Sequence, residues 1–389
     1  MNNVLFIYEN EIPTVSITRN FWGNISKEYG ILSKFIMLSD VQSSDIDWCD
    51  VLVMIRPNNV YAWRIAALSR KSGCFIITTC DDDLLHLPKT HPDLYWRRKG
   101  LIKALNNSNV FMTTSRHLME QMLGYTIDKR GVYVDTVVKY GELLERDYET
   151  EKRDMVRFVY AAGGGQHEVL FEQIVLPALR KAAACYPGKF SLTFISVHPN
   201  CEGLEKSIPI TYIEGMPLLE YRKFMDEQKF DVGIAPLEDS PFAKCKYFNK
   251  YLEYTLSGVV GVYSNVEPYT YVVTDGDNGY LADNNDISWE EKLKIAIEDS
   301  SLRIACARNA QKHVRDNFNE QVLMERLLSE VPELYKKTGE RNPCRNFSHW
   351  RIYYRFLKCV EYIFKSFFYM KNEGMNSVVK RAVARLKRS

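Results

Sequence analysis

Lys246 and Lys250 are four residues apart, and Glu253 follows Lys250 by three, in a stretch from Pro236 to Gly279 that is flanked by apolar runs. At helical spacing the two lysines share one face, one turn apart, with the carboxylate in the same turn. A helix start beside them would add free N–H groups and its dipole, which is the chemistry of an anion site. Lys244 supplies a third cation, and Glu253 could accept hydrogen bonds from ribose or sugar hydroxyls. A solvated lysine face with a glutamate partner would carry the same residues, so the spacing alone leaves both readings open.

Two further stretches carry candidate chemistry. Gly163, Gly164 and Gly165, with His167, come directly after an apolar run and open a helical pattern at Glu168. Glycines there let the backbone approach a diphosphate closely, with the next helix dipole behind them, although a triple glycine is also an ordinary turn. Asp81, Asp82 and Asp83 close another apolar run, with His86 and His91 after them. They read as polar cleft residues, as loop caps, or as carboxylates for Mg²⁺ or Mn²⁺. The two histidines are isolated and equally suit a structural place.

The elements that would position these residues alternate along the chain. Short buried runs at 4–8, 35–38, 51–55, 75–79 and 110–113 read as parallel strands. The polar run 141–154 reads as a linker, after which strands at 157–161, 191–197, 210–213, 230–235 and 259–263 alternate with helices. One helix is expected over 168–185 and another over 246–257, closed by Gly258, and 288–337 is almost all helical. Two successive runs of this kind predict an α/β protein of two doubly wound Rossmann-like domains facing across a cleft, with ligand at the carboxyl ends of strands. The boundaries are 1–145 and 155–337, with a tail at 345–389 and a last helix that could pack back on the first domain. A chain of 389 residues suits two domains plus an appendage.

Composition excludes several classes. Fifty-one Lys+Arg against 49 Asp+Glu give a net charge of +2, which argues against a dedicated nucleic-acid binder. No apolar stretch reaches the ~18 residues of a membrane span, and the first apolar run lacks the basic segment of a signal peptide. Nine scattered cysteines without a C-x-x-C pair suit reduced thiols and no zinc, hence a cytoplasmic setting.

The 236–279 stretch resembles the donor-binding signature of the retaining GT-B-fold glycosyltransferases of family 4, especially a branch found in bacterial surface-polysaccharide clusters. The matching residues are Phe242, Lys246, Lys250, Leu252, Glu253, Tyr254, Gly258, Pro268, Tyr269, Asn278 and Gly279. The resemblance covers most of 1–337 and is specific only in the second half. It departs at Cys245, where the first of two glutamates eight apart is expected, and at Tyr247, where a small serine is expected. It implies a GT-B fold and sugar transfer from a nucleotide-diphosphate sugar, with retention, to a glycan or polyprenyl-linked acceptor. Lys246, Lys250 and Glu253 would then be catalytic. Gly163, Gly164, Gly165, His167, Tyr247 and Tyr269 would bind the donor, and Asp81, Asp82, Asp83 and His86 would lie on the acceptor side. It also implies no metal or other cofactor, because lysines and helix termini meet the leaving diphosphate. The two departures motivate an alternative, a binding or assembly subunit without turnover. An epimerase or phosphorylase on the same architecture is a third reading.

The neutral total hides a division. Residues 345–389 carry +9, so residues 1–344 carry −7. On a helical projection of 350–370, Arg351, Arg355, Lys358 and Lys365 form one stripe, and Tyr353, Phe356, Val360, Ile363, Phe364 and Phe367 the opposing face. This predicts a basic amphipathic helix lying on an anionic membrane surface through 349–388, holding the protein to the inner face of the cell membrane. A helix packed on the first domain is the competing expectation.

Overall fold

The structure, a computed structural model, describes residues 2–26, 28–59, 61–86, 94–138, 142–148, 151, 153–162, 168–336, 341–344 and 350–386. The chain forms two compact units, Met1–Asp135 with Met324–Ser389, and Thr136–Leu323.

The first unit is built on a parallel sheet of order β2-β1-β3-β4-β5-β6. Its strands are β1 (Asn2–Tyr8), β2 (Ile31–Met37), β3 (Val51–Ile55), β4 (Phe75–Thr79), β5 (Val110–Thr113) and β6 (Arg130–Tyr133). Between them run α1 (Pro13–Ile25), α2 (Ser43–Trp48), α3 (Ala62–Lys71), α4 (Leu94–Asn107) and α5 (Arg116–Leu123). Helices on both faces bury the central strands completely, which is why β1 and β3 read as continuous apolar runs rather than alternating ones. β1 has β2 on one side and β3 on the other, so the strand order reverses between β1 and β3. Glu9 and Arg56 follow β1 and β3 directly and the Asp81–Asp83 run follows β4 after Cys80, all at the carboxyl edge.

The second unit holds a parallel sheet of order β12-β11-β10-β7-β8-β9. The strands are β7 (Val156–Ala161), β8 (Phe190–Ile195), β9 (Ile210–Ile213), β10 (Val232–Ala235), β11 (Val260–Ser264) and β12 (Tyr280–Ala282). Its helices are α6 (Glu168–Leu170), α7 (Leu176–Cys185), α8 (Leu218–Gln228), α9 (Pro241–Lys244), α10 (Asn249–Leu256), α11 (Asp286–Glu298) and α12 (Ser300–Asn317). Here the order reverses between β7 and β10. The polar run 141–154 belongs to this unit. Arg146 is 1% exposed at its side chain, donates to the carbonyls of Phe230 and Gly258, and pairs with Glu151 at 2.9 Å and Asp231 at 3.4 Å. Gly258 stands at φ +65°, and a Cβ there would meet Arg146 Cδ at 2.7 Å, so both the turn and the arginine need glycine.

The C-terminal helices are α13 (Glu320–Glu330), α14 (Trp350–Glu373) and α15 (Met375–Leu386). α14 is half docked. Trp350 and Tyr354 join the core of the first unit among Leu52, Ile65 and Ile76, and Trp350 Nε1 donates to the Leu38 carbonyl at 2.8 Å. Tyr61 donates to the Leu357 carbonyl at 2.7 Å, and Lys358 pairs with Glu9. Packing on the first domain thus describes one stripe of α14. The opposing apolar stripe is exposed, with Phe356 at 62%, Ile363 at 56% and Phe367 at 60%, and Met375, Val379 and Val383 continue exposed apolar surface onto α15. Among the described residues no helix is long and apolar enough to cross a membrane.

Candidate functional site

In the second unit α10 follows β10 where the strand order reverses, so its first turn lies at the carboxyl edge of the sheet. Lys250 on that turn forms an ion pair with Glu253, and Tyr221 of α8 donates to Glu253 Oε2 at 3.3 Å. The Lys250 ammonium also lies 5.4 Å from the centre of the Tyr221 ring. Burial, with the Glu253 charge beside it, pushes the Tyr221 hydroxyl well above its usual range, so it keeps its proton and acts as donor. These three side chains line a cavity of about 230 Å³ with Ala161, the last residue of β7, Ala162 after it, and Ser196 and Met216. Its lining joins these polar groups to alanines, Ile195 and Leu218, at the carboxyl edge where open α/β sheets take their ligands.

The single helix expected over 246–257 is two. Pro241 at the first turn and the Ser240 hydroxyl, which accepts from the Ala243 amide at 3.1 Å, start the short α9. That helix stops at Lys244, and Cys245 is buried in the turn before α10 begins at Asn249. Lys246 therefore precedes α10 instead of sharing a helical face with Lys250. Its ammonium sits 5.3 Å from the centre of the Phe242 ring, while Lys244 pairs with Asp239 at 3.0 Å. Tyr247 and Tyr269 are packed in the same apolar core. The Tyr247 hydroxyl accepts from the Thr136 amide at 3.0 Å, and the Tyr269 ring lies 4.8 Å from Tyr263. Neither lines the cavity. Gly163, Gly164, Gly165 and His167 lie outside the described residues; the segment they form begins directly after Ala162, which does line it.

In the first unit the acidic run is tied down from within. Asp81 is ion-paired to Arg56 and accepts from the Thr14 hydroxyl at 2.7 Å, and Asp82 pairs with Arg56 at 2.6 Å. Asp83, 2% exposed, accepts from the amides of Leu85 and His86 and faces His86 Nδ1 at 2.9 Å. His86 Nε2 lies 3.0 Å from the Tyr125 hydroxyl. Asp83 is thus a loop cap that also orients a half-exposed imidazole, whereas Asp81 and Asp82 are held by one guanidinium. His91 lies outside the described residues.

Several participants carried no motif. Ser196, at φ +64°, turns the chain at the end of β8 into the cavity wall, and no sequence signal marks that position. Tyr221 sits inside a polar helix. Arg56 did carry a signal, since a charged residue directly after a fully buried parallel strand stands at the carboxyl edge.

No protein family matches the sequence, and no curated relative is similar to it. The fold does have neighbours among solved structures. HepE of Anabaena, crystallised with UDP and glucose, superposes with a TM-score of 0.58 at 12% identity, over 85% of this chain and 100% of that one. A glycosyltransferase of Rickettsia africae gives 0.59 at 12% identity, over 86% and 99%. The lipopolysaccharide outer core galactosyltransferase WaaB gives 0.53 at 13% identity, over 85% and 99%. These neighbours are GT-B glycosyltransferases, and the two parallel-sheet Rossmann-like units of this chain have the GT-B fold.

Proposed function

We propose that this protein is a glycosyltransferase that moves a sugar from a nucleotide-diphosphate sugar to a glycan or lipid-linked acceptor in cell-surface polysaccharide synthesis, with retention of configuration. The observation that carries the reading is the Lys250–Glu253–Tyr221 cluster at the mouth of the cavity where the second sheet reverses its strand order. The fold neighbour HepE was crystallised with UDP and with UDP-glucose, which supports a nucleotide-sugar donor here.

The chemistry follows from the leaving group. A nucleoside diphosphate departing from a sugar gains negative charge, so a fixed cation stabilises the transition state more than the bound substrate. Lys250 supplies that cation, and the Gly163–Gly165 run is assigned the role of adding N–H groups to it, as glycines next to a diphosphate can. Glu253 takes the ribose hydroxyls as acceptor, with Tyr221 holding its carboxylate in place. In this reading neither metal nor other cofactor takes part. The acceptor approaches the carboxyl edge of the first unit, where His86 and the Asp81–Asp83 loop stand. The exposed apolar stripe of α14 and α15, with tail charges beside it, lies on an anionic membrane at the cytoplasmic face.

Incubation with a panel of nucleotide sugars and a lipid extract, scored by nucleotide release, tests the assignment. Release by the intact protein and its loss in Lys250→Ala is the expected result; release unaffected by that substitution would sink the site. Cys245 is buried where the signature expects a carboxylate, which keeps one rival reading alive, a binding subunit without turnover. That rival predicts nucleotide binding with no release from any donor.

A further inference from the structure

α3, α4 and the docked α14 of the first unit enclose a groove of about 270 Å³ that plays no part in the donor site. Its walls are apolar: Trp63 and Tyr61 on one side, Leu357, Val360 and Phe364 on the other. Two cations stand at it. Lys103 lies 4.5 Å and Arg64 5.5 Å from the centre of the Trp63 ring, and Arg64 also lies 4.8 Å from that of Tyr353. Among the described residues neither cation has a carboxylate within ion-pair distance. The acid that lines the groove, Glu361, is taken up by Lys358 at 3.1 Å and Lys365 at 2.7 Å. The groove is therefore an aromatic channel with an uncompensated pair of positive charges.

Its position narrows what could fill it. Phe364 belongs both to the groove wall and to the exposed stripe, which runs on through Ile363 and Phe367. A ligand with an apolar chain could leave the groove along that stripe without crossing polar surface. We infer that the groove holds the phosphate end of a single-chain membrane lipid, a polyprenyl phosphate or diphosphate, with the phosphate on Arg64 and Lys103 and the first part of the chain against Trp63 and Phe364. A phosphate monoester carries about −1.5 to −2 at neutral pH, and the diphosphate that joins a polyprenyl chain to a sugar carries about −2, so either matches two cations, whereas a phosphodiester headgroup carries a single charge. The volume, slightly under the ~300 Å³ where ligand pockets begin, admits one chain and not a diacyl pair. This inference deepens the lipid-linked acceptor of the proposed function and rests on that reading for its biological sense.

Co-sedimentation of the full chain with phosphatidylcholine vesicles tests it. One set is doped with undecaprenyl phosphate, another with phosphatidylglycerol at equal total charge, and inorganic phosphate is added as competitor. The expected result is binding about tenfold tighter to the undecaprenyl phosphate set. That preference should vanish in the Arg64→Gln/Lys103→Gln variant, while UDP binding by the second unit and the circular dichroism spectrum stay unchanged. Trp63→Leu, which keeps an apolar wall but removes the ring under both cations, should weaken the preference in part. Equal binding to the two anionic sets, or a preference that survives the double substitution, overturns the inference. Nucleotide release from donors is read separately, so loss of the proposed activity and loss of this site are distinguishable outcomes.

Discussion

Lys250 and Glu253 neutralise each other across one turn of α10, so a donor that enters the cavity exchanges that pair for contacts of its own. The exchange sorts the two residues by kinetic effect. In the proposed function Lys250 is the cation that meets the diphosphate charge as it develops, so Lys250→Ala should lower kcat about 10²–10³-fold with a smaller change in KM. Replacing Glu253 by Gln keeps a hydrogen-bonding group but loses the charged acceptor for the ribose, and should raise the donor KM roughly tenfold with less effect on kcat. Tyr221→Phe removes only a 3.3 Å bond to Glu253 and should cost less than either. Steady-state kinetics with a single donor separate these cases, and a Glu253→Gln effect confined to kcat would remove the ribose assignment. Lys246→Ala is the informative contrast. Its ammonium rests on Phe242 ahead of α10, so its loss should be milder than that of Lys250 unless donor binding redraws the α9–α10 turn.

The elements show where sequence patterns transmit and where they fail. Strands buried on both faces were readable to the residue: every position of 51–55 is apolar, and 75–79 is an apolar run closed by two β-branched threonines. β6 and β12 were not, since four and three residues at a sheet edge leave too short a run to register. The Lys250–Glu253–Tyr221 cluster was half legible. Lys250 and Glu253 lie on the helix that their spacing suggests, but the break at Cys245–Phe248 has no Gly or Pro to announce it. Tyr221 and Ser196 reach the cavity through tertiary structure alone. Docking of α14 could be named from the sequence only as one of two expectations, because the decisive group is a largely buried charge chain, Glu9–Lys358–Glu361–Lys365, written as ordinary surface residues. Burial opposes the Lys358 charge, yet the two carboxylates more than offset it and hold the ammonium above the usual lysine range. Lys358→Ala leaves Glu9 with the Asn59 amide and Glu361 with Lys365, at a cost of about 1–3 kcal/mol, and should lower Tm by roughly 2–12 °C. Burial likewise opposes the Glu361 charge, but Lys358 and Lys365 hold its carboxyl below the usual range. Its contribution is complete above the unfolded value of about 4.3 and is lost as the pH falls through the lower native value. Hydrogen-exchange protection factors along α14, corrected for the intrinsic pH dependence of exchange, should therefore fall below about pH 4 and stay flat from pH 5 to 8; a loosening centred near pH 7 would exclude this carboxylate as the cause.

At the scale of the whole molecule, the +9 of 345–389 overstates what a membrane would feel. Lys358 pairs with Glu9 and Arg351 with Asp40 at 3.0 Å, two carboxylates outside the tail, which leaves about +7; Glu361 and Glu373, which meet Lys365 and Arg381, are already counted in the +9. At about 1 kcal/mol per free basic residue near an anionic surface, the electrostatic part shrinks and the exposed apolar stripe carries more of the binding. This changes which experiment is clean. Cutting the chain before Arg345 would strip Trp350 and Tyr354 from the core of the first unit, so lost vesicle binding could reflect lost structure. Exposed positions avoid that confusion. The triple substitution Phe356→Ser, Ile363→Ser, Phe367→Ser removes side chains that are all more than half exposed, so Tm should move by no more than about 2 °C. Each of the three would bury up to about 1.5–3 kcal/mol of apolar surface in the interface, so partition onto phosphatidylglycerol vesicles should fall by well over an order of magnitude. Salt completes the argument. If the stripe dominates, raising the salt from about 50 to 500 mM should weaken wild-type binding only partly, because the screening length falls while apolar burial is untouched. If wild-type binding disappears at high salt, or if the triple variant binds undiminished, the tail acts through its charges and the stripe must serve another surface.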